Sequence, residues 1–299
     1  MSDYHVSVLL EESIELLNIR PEGNYVDVTF GAGGHSKTIL KELSAKGHLY
    51  GFDQDADAVG NILQDERFSL IESNFRYIRR FLRLEGINEV DGILADLGVS
   101  SHQLDQADRG FSYRYDAPLD MRMNREADLT AAILLKTYDE QKLIEVLSSY
   151  GEVRNAKTLA KALIHNGKLA EIRTTFDLNR VLEQHIMGPR MKYFSQVYQA
   201  IRMEVNDEIG ALKELLAEGY RVLKPGGRFV VITFHSIEDR VVKNFFKSGN
   251  FDGEMEKDEF GNIFKTFSLI NKKVISASPK EQKENSRSKS AKLRAAEKI

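Results

Sequence analysis

Hydrophobic and polar positions alternate along this chain with two periods. Residues 8–18 (VLLEESIELLN) and 34–46 (GHSKTILKELSAK) carry apolar side chains at helical spacing. YVDVTF (25–30), HLYGFD (48–53), FSLIES (68–73) and DGILAD (91–96) are short apolar runs that read as strands, with helical stretches near 55–65 and 76–85 between them. Strand and helix in regular alternation predict a parallel sheet covered by helices on both faces. Ligands in such sheets lie beyond the carboxyl ends of the strands.

The alternation stops after Asp96. Residues 97–126 are polar and turn-rich, which predicts a long functional loop. Segments at 128–136, 139–149, 153–165 and 176–187 then have helical spacing with no strand between them, so 125–199 reads as an inserted helical subdomain. The α/β pattern resumes with a helix through NDEIGALKELLAEGYRVL, a turn at KPGGR, a buried strand RFVVITF (228–234) and a helix after His235. NIFKTFSLI supplies one or two closing strands. The expected domains are thus 1–124 with 200–299, and 125–199 between them.

Composition narrows the classes. With 299 residues and 42% hydrophobic content the chain can bury a proper core. No run is long enough for a membrane span, and the start MSDYHVSVLLEES lacks a signal-peptide layout. The absence of cysteine excludes disulfides and thiolate chemistry, and suits a reducing cytoplasm. The net charge of −3 conceals an asymmetry, because residues 271–299 hold nine Lys or Arg against three Glu. Such a tail suits phosphate contact or a solvated terminus.

The chemistry centres on DVTFGAGGHS (27–36), where a strand ends in glycines. A phosphate-binding loop would need Gly-Lys-Ser/Thr, and no such lysine follows Gly31, Gly33 or Gly34. A dinucleotide fingerprint would need a third glycine where Ser36 stands. S-adenosylmethionine-dependent methyltransferases instead use an acidic residue on the first strand, here Asp27, followed by close glycines that receive the methionine carboxylate at a helix amino terminus. Asp53, at the tip of the second strand, can accept hydrogen bonds from ribose hydroxyls, which NAD and S-adenosylmethionine share. Phe75, after the third strand, is placed to stack on adenine, although a lone Phe is commonly core. DQDAD (53–57) fails as a calcium loop, and His35, His102 and His235 lack metal-ligand spacing, so no metal is expected.

FGAGGHS, DLGVSS, QLDQADRGFSYRYDAPLDMRM, YGE, QAIRMEVNDE, LKPGGR and ITFHSIEDR together resemble the bacterial ribosomal RNA small-subunit methyltransferase H family, also called MraW, from His5 to the SRSKSAKLR tail. The resemblance implies a Rossmann-like class I S-adenosylmethionine-dependent methyltransferase fold with an inserted all-helical, substrate-recognising subdomain. It implies methylation of the exocyclic N(4) amino group of one cytidine in the decoding region of 16S ribosomal RNA. The partner is then the small subunit, assembled or nearly so, in the cytoplasm; a homodimer is compatible with it.

Carried onto this chain, the resemblance gives Gly33, Gly34 and His35 the methionine end of the cofactor, Asp53 the ribose, Phe75 the adenine, and Asp96 with Gln103 the region of the sulfonium. Asp96, Ser100 and Ser101 are the expected catalytic acceptors for the reacting amino group. Arg109, Phe111, Tyr113, Arg114, Tyr115 and Arg122 mix cations and aromatics in one loop, as RNA contact requires, the other reading being a lid that packs on the cofactor without RNA. Arg202, Arg287 and Lys289 are further candidates for RNA contact, and His235, Glu238 and Asp239, after the fifth strand, are candidates for orienting the target base, with a helix cap and surface ion pairs as equally good readings. His102, Gln196, Ser286 and Lys289 depart from the family pattern on the RNA side. The competing readings are a nicotinamide-dependent dehydrogenase and a ribosome-assembly factor that keeps the fold without the chemistry.

Overall fold

The computed structural model describes residues 7–169, 172–255, 259 and 265–299. The expectations placed on His5 and on the first part of NIFKTFSLI lie outside them. The chain forms two compact units, residues 1–98 with 210–299, and 99–209.

The first unit begins with helix α1 (Leu10–Leu17) and alternates strand β1 (Asn24–Asp27), helix α2 (Gly34–Glu42), β2 (His48–Asp53), β3 (Phe68–Glu72), α3 (Ile78–Leu84) and β4 (Val90–Asp96). The helix expected near 55–65 is only a 3₁₀ turn, Ala56–Asn61, capped by the Asp55 side chain on Asp57 N. β1 pairs in parallel with both β2 and β4.

In the second unit, α4 (Ser101–Asp105) precedes α5 (Ala131–Thr137), α6 (Glu140–Gly151), α7 (Ala156–Leu169), α8 (Thr175–Glu183) and α9 (Arg190–Val205). This unit starts at Val99 and ends at Ile209, wider than the expected 125–199. The physical reason is that the long loop is not peripheral: Phe111, Leu119, Met121 and Met123 are buried in one core with Leu134, Leu159, Leu178 and Phe194. α9 extends the helical set at the other end. Asn206 separates it from α10 (Glu208–Val222) by donating to Met121 O and Arg202 O, while Asp207 turns with φ 45°.

The chain then completes the sheet with β5 (Leu223–Thr233), α11 (Ser236–Ser248), β6 (Phe267–Leu269), α12 (Pro279–Glu284) and β7 (Lys292–Lys298). KPGGR appears as a bulge within β5, since Val90 pairs with Leu223 but Gly92 with Arg228. The strand order is β3-β2-β1-β4-β5-β7-β6, with β7 antiparallel to both neighbours. This is the expected Rossmann-like α/β architecture with one reversed strand inserted near the edge. The basic tail is therefore partly a strand and not a solvated terminus: Leu293 and Ala295 are buried.

Period-two alternation distributes the strands between two cores. Tyr25, Leu49, Leu94, Val230 and Ile232 face Leu17, Ile39 and Leu43. Val26, Phe52, Ile93, Ala95, Phe229 and Val231 face Ile78, Leu82, Leu212, Leu216 and Phe246. Both faces of the sheet are thus covered, and the chain reverses its strand order at β1 and β4. Asp27 and Asp96, at the ends of those two strands, stand where such sheets bind ligands. Among the described residues no helix is long and apolar enough to cross a membrane.

Candidate active site

The glycine loop is shaped by its own backbone. Val28 N donates to Leu94 O and Phe30 N to Phe52 O, which carries the chain outward between β4 and β2. Gly31 (φ 52°) and Gly33 (φ 74°) are left-handed, a conformation that penalises side chains. A Cβ on Gly33 would lie 2.9 Å from the Phe30 ring, and one on Gly34 would lie 2.0 Å from Ser7 Oγ. The loop is fastened by Asp53, whose Oδ2 accepts from Gly31 N at 2.8 Å and Oδ1 from Asp55 N at 2.9 Å. Burial pushes the Asp53 carboxyl up to about 6, against these two hydrogen bonds and with added repulsion from Asp55 and Asp27.

Behind the loop lies a chain of polar contacts that links the two strand ends. Asp27 is buried, and its Oδ2 accepts from Ser36 Oγ at 2.7 Å while Oδ1 accepts from Thr29 N at 3.1 Å. Thr29 Oγ1 in turn accepts from Asp96 N at 2.7 Å. Ser36, a failed third glycine by sequence, is thus the donor that satisfies a buried carboxylate. Thr29 was also missed; its signal is its place two residues after Asp27, where a short side chain can bond to the turn.

His35 is buried with Nε2 3.2 Å from Val8 O. A carbonyl only accepts, so Nε2 carries the proton and Nδ1 turns its lone pair toward Asp96 Oδ2, 3.9 Å away. Burial lowers the His35 pKa, opposed by Asp27 and the Val8 bond, so the ring is neutral and the 3.9 Å pair is not a salt bridge. Asp96 keeps 23% of its side-chain exposure, yet its Oδ1 is sealed and has no hydrogen-bond partner among the described residues. Burial raises its pKa well above the carboxylate range, and the charges of Asp27 and Glu238 add to the effect.

Glu238, expected with His235 and Asp239 to orient the target base, is 3% exposed and accepts from Phe234 N at 2.9 Å. His235 caps α11 through Nδ1, which accepts from Glu238 N at 3.3 Å. Its Nε2 lies 3.1 Å from Glu238 Oε1 without hydrogen-bond geometry. Three buried or recessed carboxyls, Asp27, Asp96 and Glu238, therefore share one neighbourhood beside a neutral histidine. Such a cluster favours a cationic ligand and repels a pyrophosphate. An S-adenosylmethionine, with ammonium and sulfonium charges, fits this donor set; Gly33, Gly34, His35, Asp53 and Asp96 are the residues that would hold it.

Several other expected site residues have structural tasks. Phe75 opens a 3₁₀ turn directly after β3 and is half-buried against the core. Ser100 and Gln103 form a reciprocal cap on α4, Ser100 Oγ accepting from Gln103 N and Gln103 Oε1 from Ser100 N, both at 3.1 Å. Ser101 begins that helix. Two residues expected at RNA are corrected outright. Arg109 is 3% exposed and donates to the Arg122 and Met123 carbonyls, and Phe111 is core.

Three more candidates are held by partners. Arg122 is clamped by Asp120 and Ala127 O, and Arg202 by Glu208. Asp239 is held between Arg294 and Lys292 of β7, so it serves the fold and not a base. Lys298 is also consumed, donating to Tyr220 O and Leu223 O. Arg287 and Lys289 sit in a 3₁₀ turn, Ser286–Ser290, where Lys289 is exposed.

The sequence model of the MraW methylase family matches residues 2–299, nearly the entire chain. The chain belongs to the MraW methylase family. "Ribosomal RNA small subunit methyltransferase H" of Parabacteroides distasonis is 53% identical to it over 300 residues, covering 100% of this chain and 98% of its own. The like-named proteins of Cytophaga hutchinsonii and Flavobacterium psychrophilum are each 54% identical, covering 98% and 97% of this chain and 99% and 100% of their own. An rRNA methylase structure from Streptococcus thermophilus aligns with 97% of this chain and 93% of its own at 12% identity and TM-score 0.39, too slight a likeness to carry an argument. Membership of a methylase family removes the dehydrogenase reading, in agreement with the acidic cluster.

Proposed function

We propose that this protein methylates the exocyclic N(4) amino group of a cytidine in the decoding region of 16S ribosomal RNA. The methyl donor is S-adenosylmethionine. Support for the coarser activity, methylation of small-subunit ribosomal RNA, comes from full-length relatives that are more than half identical and bear that name. Support for the amino group as target comes from Asp96, the single observation that carries the reading: a carboxyl at the end of β4 that keeps 23% of its side-chain exposure.

A cytosine amino group is a weak nucleophile because its lone pair is delocalised into the ring. An acceptor that takes one of its N–H bonds favours the pyramidal nitrogen that can attack. Asp96 supplies that acceptor, held in place by Thr29 at its backbone N–H and by β5, whose Ile232 O accepts from Leu97 N at 3.0 Å. Its carboxyl regains full charge when a cation lies beside it, since an opposite charge within about 4–6 Å favours the ionised form. Bound S-adenosylmethionine supplies an electrophilic methyl group on a sulfonium. His35, neutral and tied to Val8 O, adds an acceptor without adding charge. Orientation of this kind contributes up to about 7–11 kcal/mol to well-aligned reactions. The methylated nitrogen becomes acidic and releases its proton to a weak acceptor, so no strong base is required.

The test is methyl transfer by Asp96→Asn to small subunits from a strain lacking the enzyme. Transfer is abolished while the thermal midpoint of the ligand-free protein stays level or rises, because a neutral amide replaces a carboxyl whose charge is disfavoured by burial beside Asp27 and Glu238. Retained turnover sinks the role given to Asp96. Absence of transfer by the unaltered protein supports the assembly-factor reading instead.

A further inference from the structure

The loop 109–122 was expected to contact RNA along its length, but the fold consumes most of it. Arg109, Phe111 and Arg122 are held as described, and Tyr113 packs edge-on against Phe194 and Tyr198, each at 5.6 Å. Arg114 and Tyr115 remain outside, Tyr115 with 52% exposure.

They are kept there by a zipper between residues 113–119 and 173–179. Thr175 Oγ1 donates to Tyr115 O at 2.5 Å, Thr175 N to Ala117 O at 2.9 Å, and Leu119 N to Arg173 O at 2.8 Å. Asn179 Nδ2 donates to Tyr113 O at 2.9 Å, and Phe176 N to Asp116 Oδ1 at 3.4 Å. This pairing brings Phe176, 43% exposed, beside the Tyr115 segment. Two large rings are thus presented by rigid backbone while neither packs on another ring or cation among the described residues. Arg114 has no acidic partner among the described residues. Asp116 and exposed Arg173 interrupt the rings, so the surface is not the continuous apolar patch that a protein interface favours.

We propose that Tyr115 and Phe176, with Arg114 beside them, form a stacking platform for unpaired bases of the substrate RNA. Exposed aromatics accept any base face, and a neighbouring arginine meets the phosphate. The assignment rests on the RNA-methylating reading above and adds the surface by which the 99–209 unit grips its substrate.

The experiment compares wild type with Tyr115→Ala/Phe176→Ala and with Tyr115→Trp/Phe176→Trp. Methyl transfer to small subunits gives KM and kcat, and filter binding measures protein-free 16S RNA. The alanine pair raises KM and the RNA Kd by about tenfold per ring, with kcat and S-adenosylmethionine affinity unchanged. The tryptophan pair restores both, and Arg114→Gln flattens the salt dependence of RNA binding by about one phosphate contact. An unchanged KM for the alanine pair overturns the platform, as does a tryptophan pair equally impaired. A loss confined to small subunits, with protein-free RNA bound alike by wild type and variant, assigns the surface to a ribosomal protein and also overturns it. Wild-type transfer is read in the same assay, so failure of the activity is separate from failure of the platform.

Discussion

Lowering the pH from 7 to 5 weakens the binding of S-adenosylmethionine about tenfold, and Asp53 is the cause. Its carboxyl is held near 6 by burial at the tip of β2. A ribose hydroxyl pair needs a carboxylate to accept its hydrogen bonds, so the protonated form does not bind. The apparent Kd then scales as one plus the ratio of protonated to ionised Asp53, about 1.1 at pH 7 and about 11 at pH 5 for a carboxyl at about 6. An ordinary carboxyl at 3.8 would leave the affinity almost flat over that range.

The same group sets a sign for stability without ligand. Asp53 ionises at 3.8 in the unfolded chain and at about 6 in the fold, so its contribution is full below 3.8 and lost as the pH rises to about 6. At 1.36 kcal/mol per pH unit that loss is at most about 3 kcal/mol, since residual solvent contact screens the charge. Titration calorimetry between pH 5 and 8, with Asp53→Asn as reference, reads the effect. The variant binds weakly throughout, and its remaining pH dependence belongs to Asp96. Equal wild-type affinity at pH 5 and pH 7 would refute the reasoning.

Other substitutions separate binding from folding. Ser36→Ala strands Asp27 Oδ2 and costs about 1.5–3 kcal/mol in denaturant unfolding at neutral pH, the range for a hydrogen bond to a charged group. Gly33→Ala, at φ 74° and against the Phe30 ring, lowers cofactor affinity more than it lowers the thermal midpoint; calorimetry and melting together check this. Arg109→Ala lowers the thermal midpoint by leaving the Arg122 and Met123 carbonyls unpaired, about 1–3 kcal/mol each; an RNA-binding defect with an intact midpoint would restore Arg109 to the substrate surface. Phe246→Ala opens the core between α11 and β5 and costs about 3–5 kcal/mol.

The parallel core was legible because its strands, buried on both faces, read as short apolar runs at the spacing of a crossover helix. The tail was not. The composition of SRSKSAKLR reads as solvated charge, yet Lys292, Arg294 and Lys298 find Asp239 and backbone carbonyls while Leu293 and Ala295 supply the apolar face. Such pairings join residues tens of positions apart and leave no local signal. The loop 109–122 misled for the same reason. Arg109 and Phe111 carry the residue types of an RNA contact, and only the packing of α5 to α9 shows that they are core. At the active site, Asp27, Asp53 and the glycines were readable from strand ends. Thr29 was not, because its role depends on β1 and β4 lying side by side.

The central claim is a methyl group placed on one cytosine amino nitrogen of 16S RNA. Small subunits from a strain lacking the enzyme are incubated with the protein and methyl-labelled S-adenosylmethionine, and the modified nucleotide is mapped and hydrolysed. The account predicts label on N(4) of a single cytidine in the decoding region, and none with Asp96→Asn. Label on a ring carbon, on a ribose hydroxyl or on another base would contradict it.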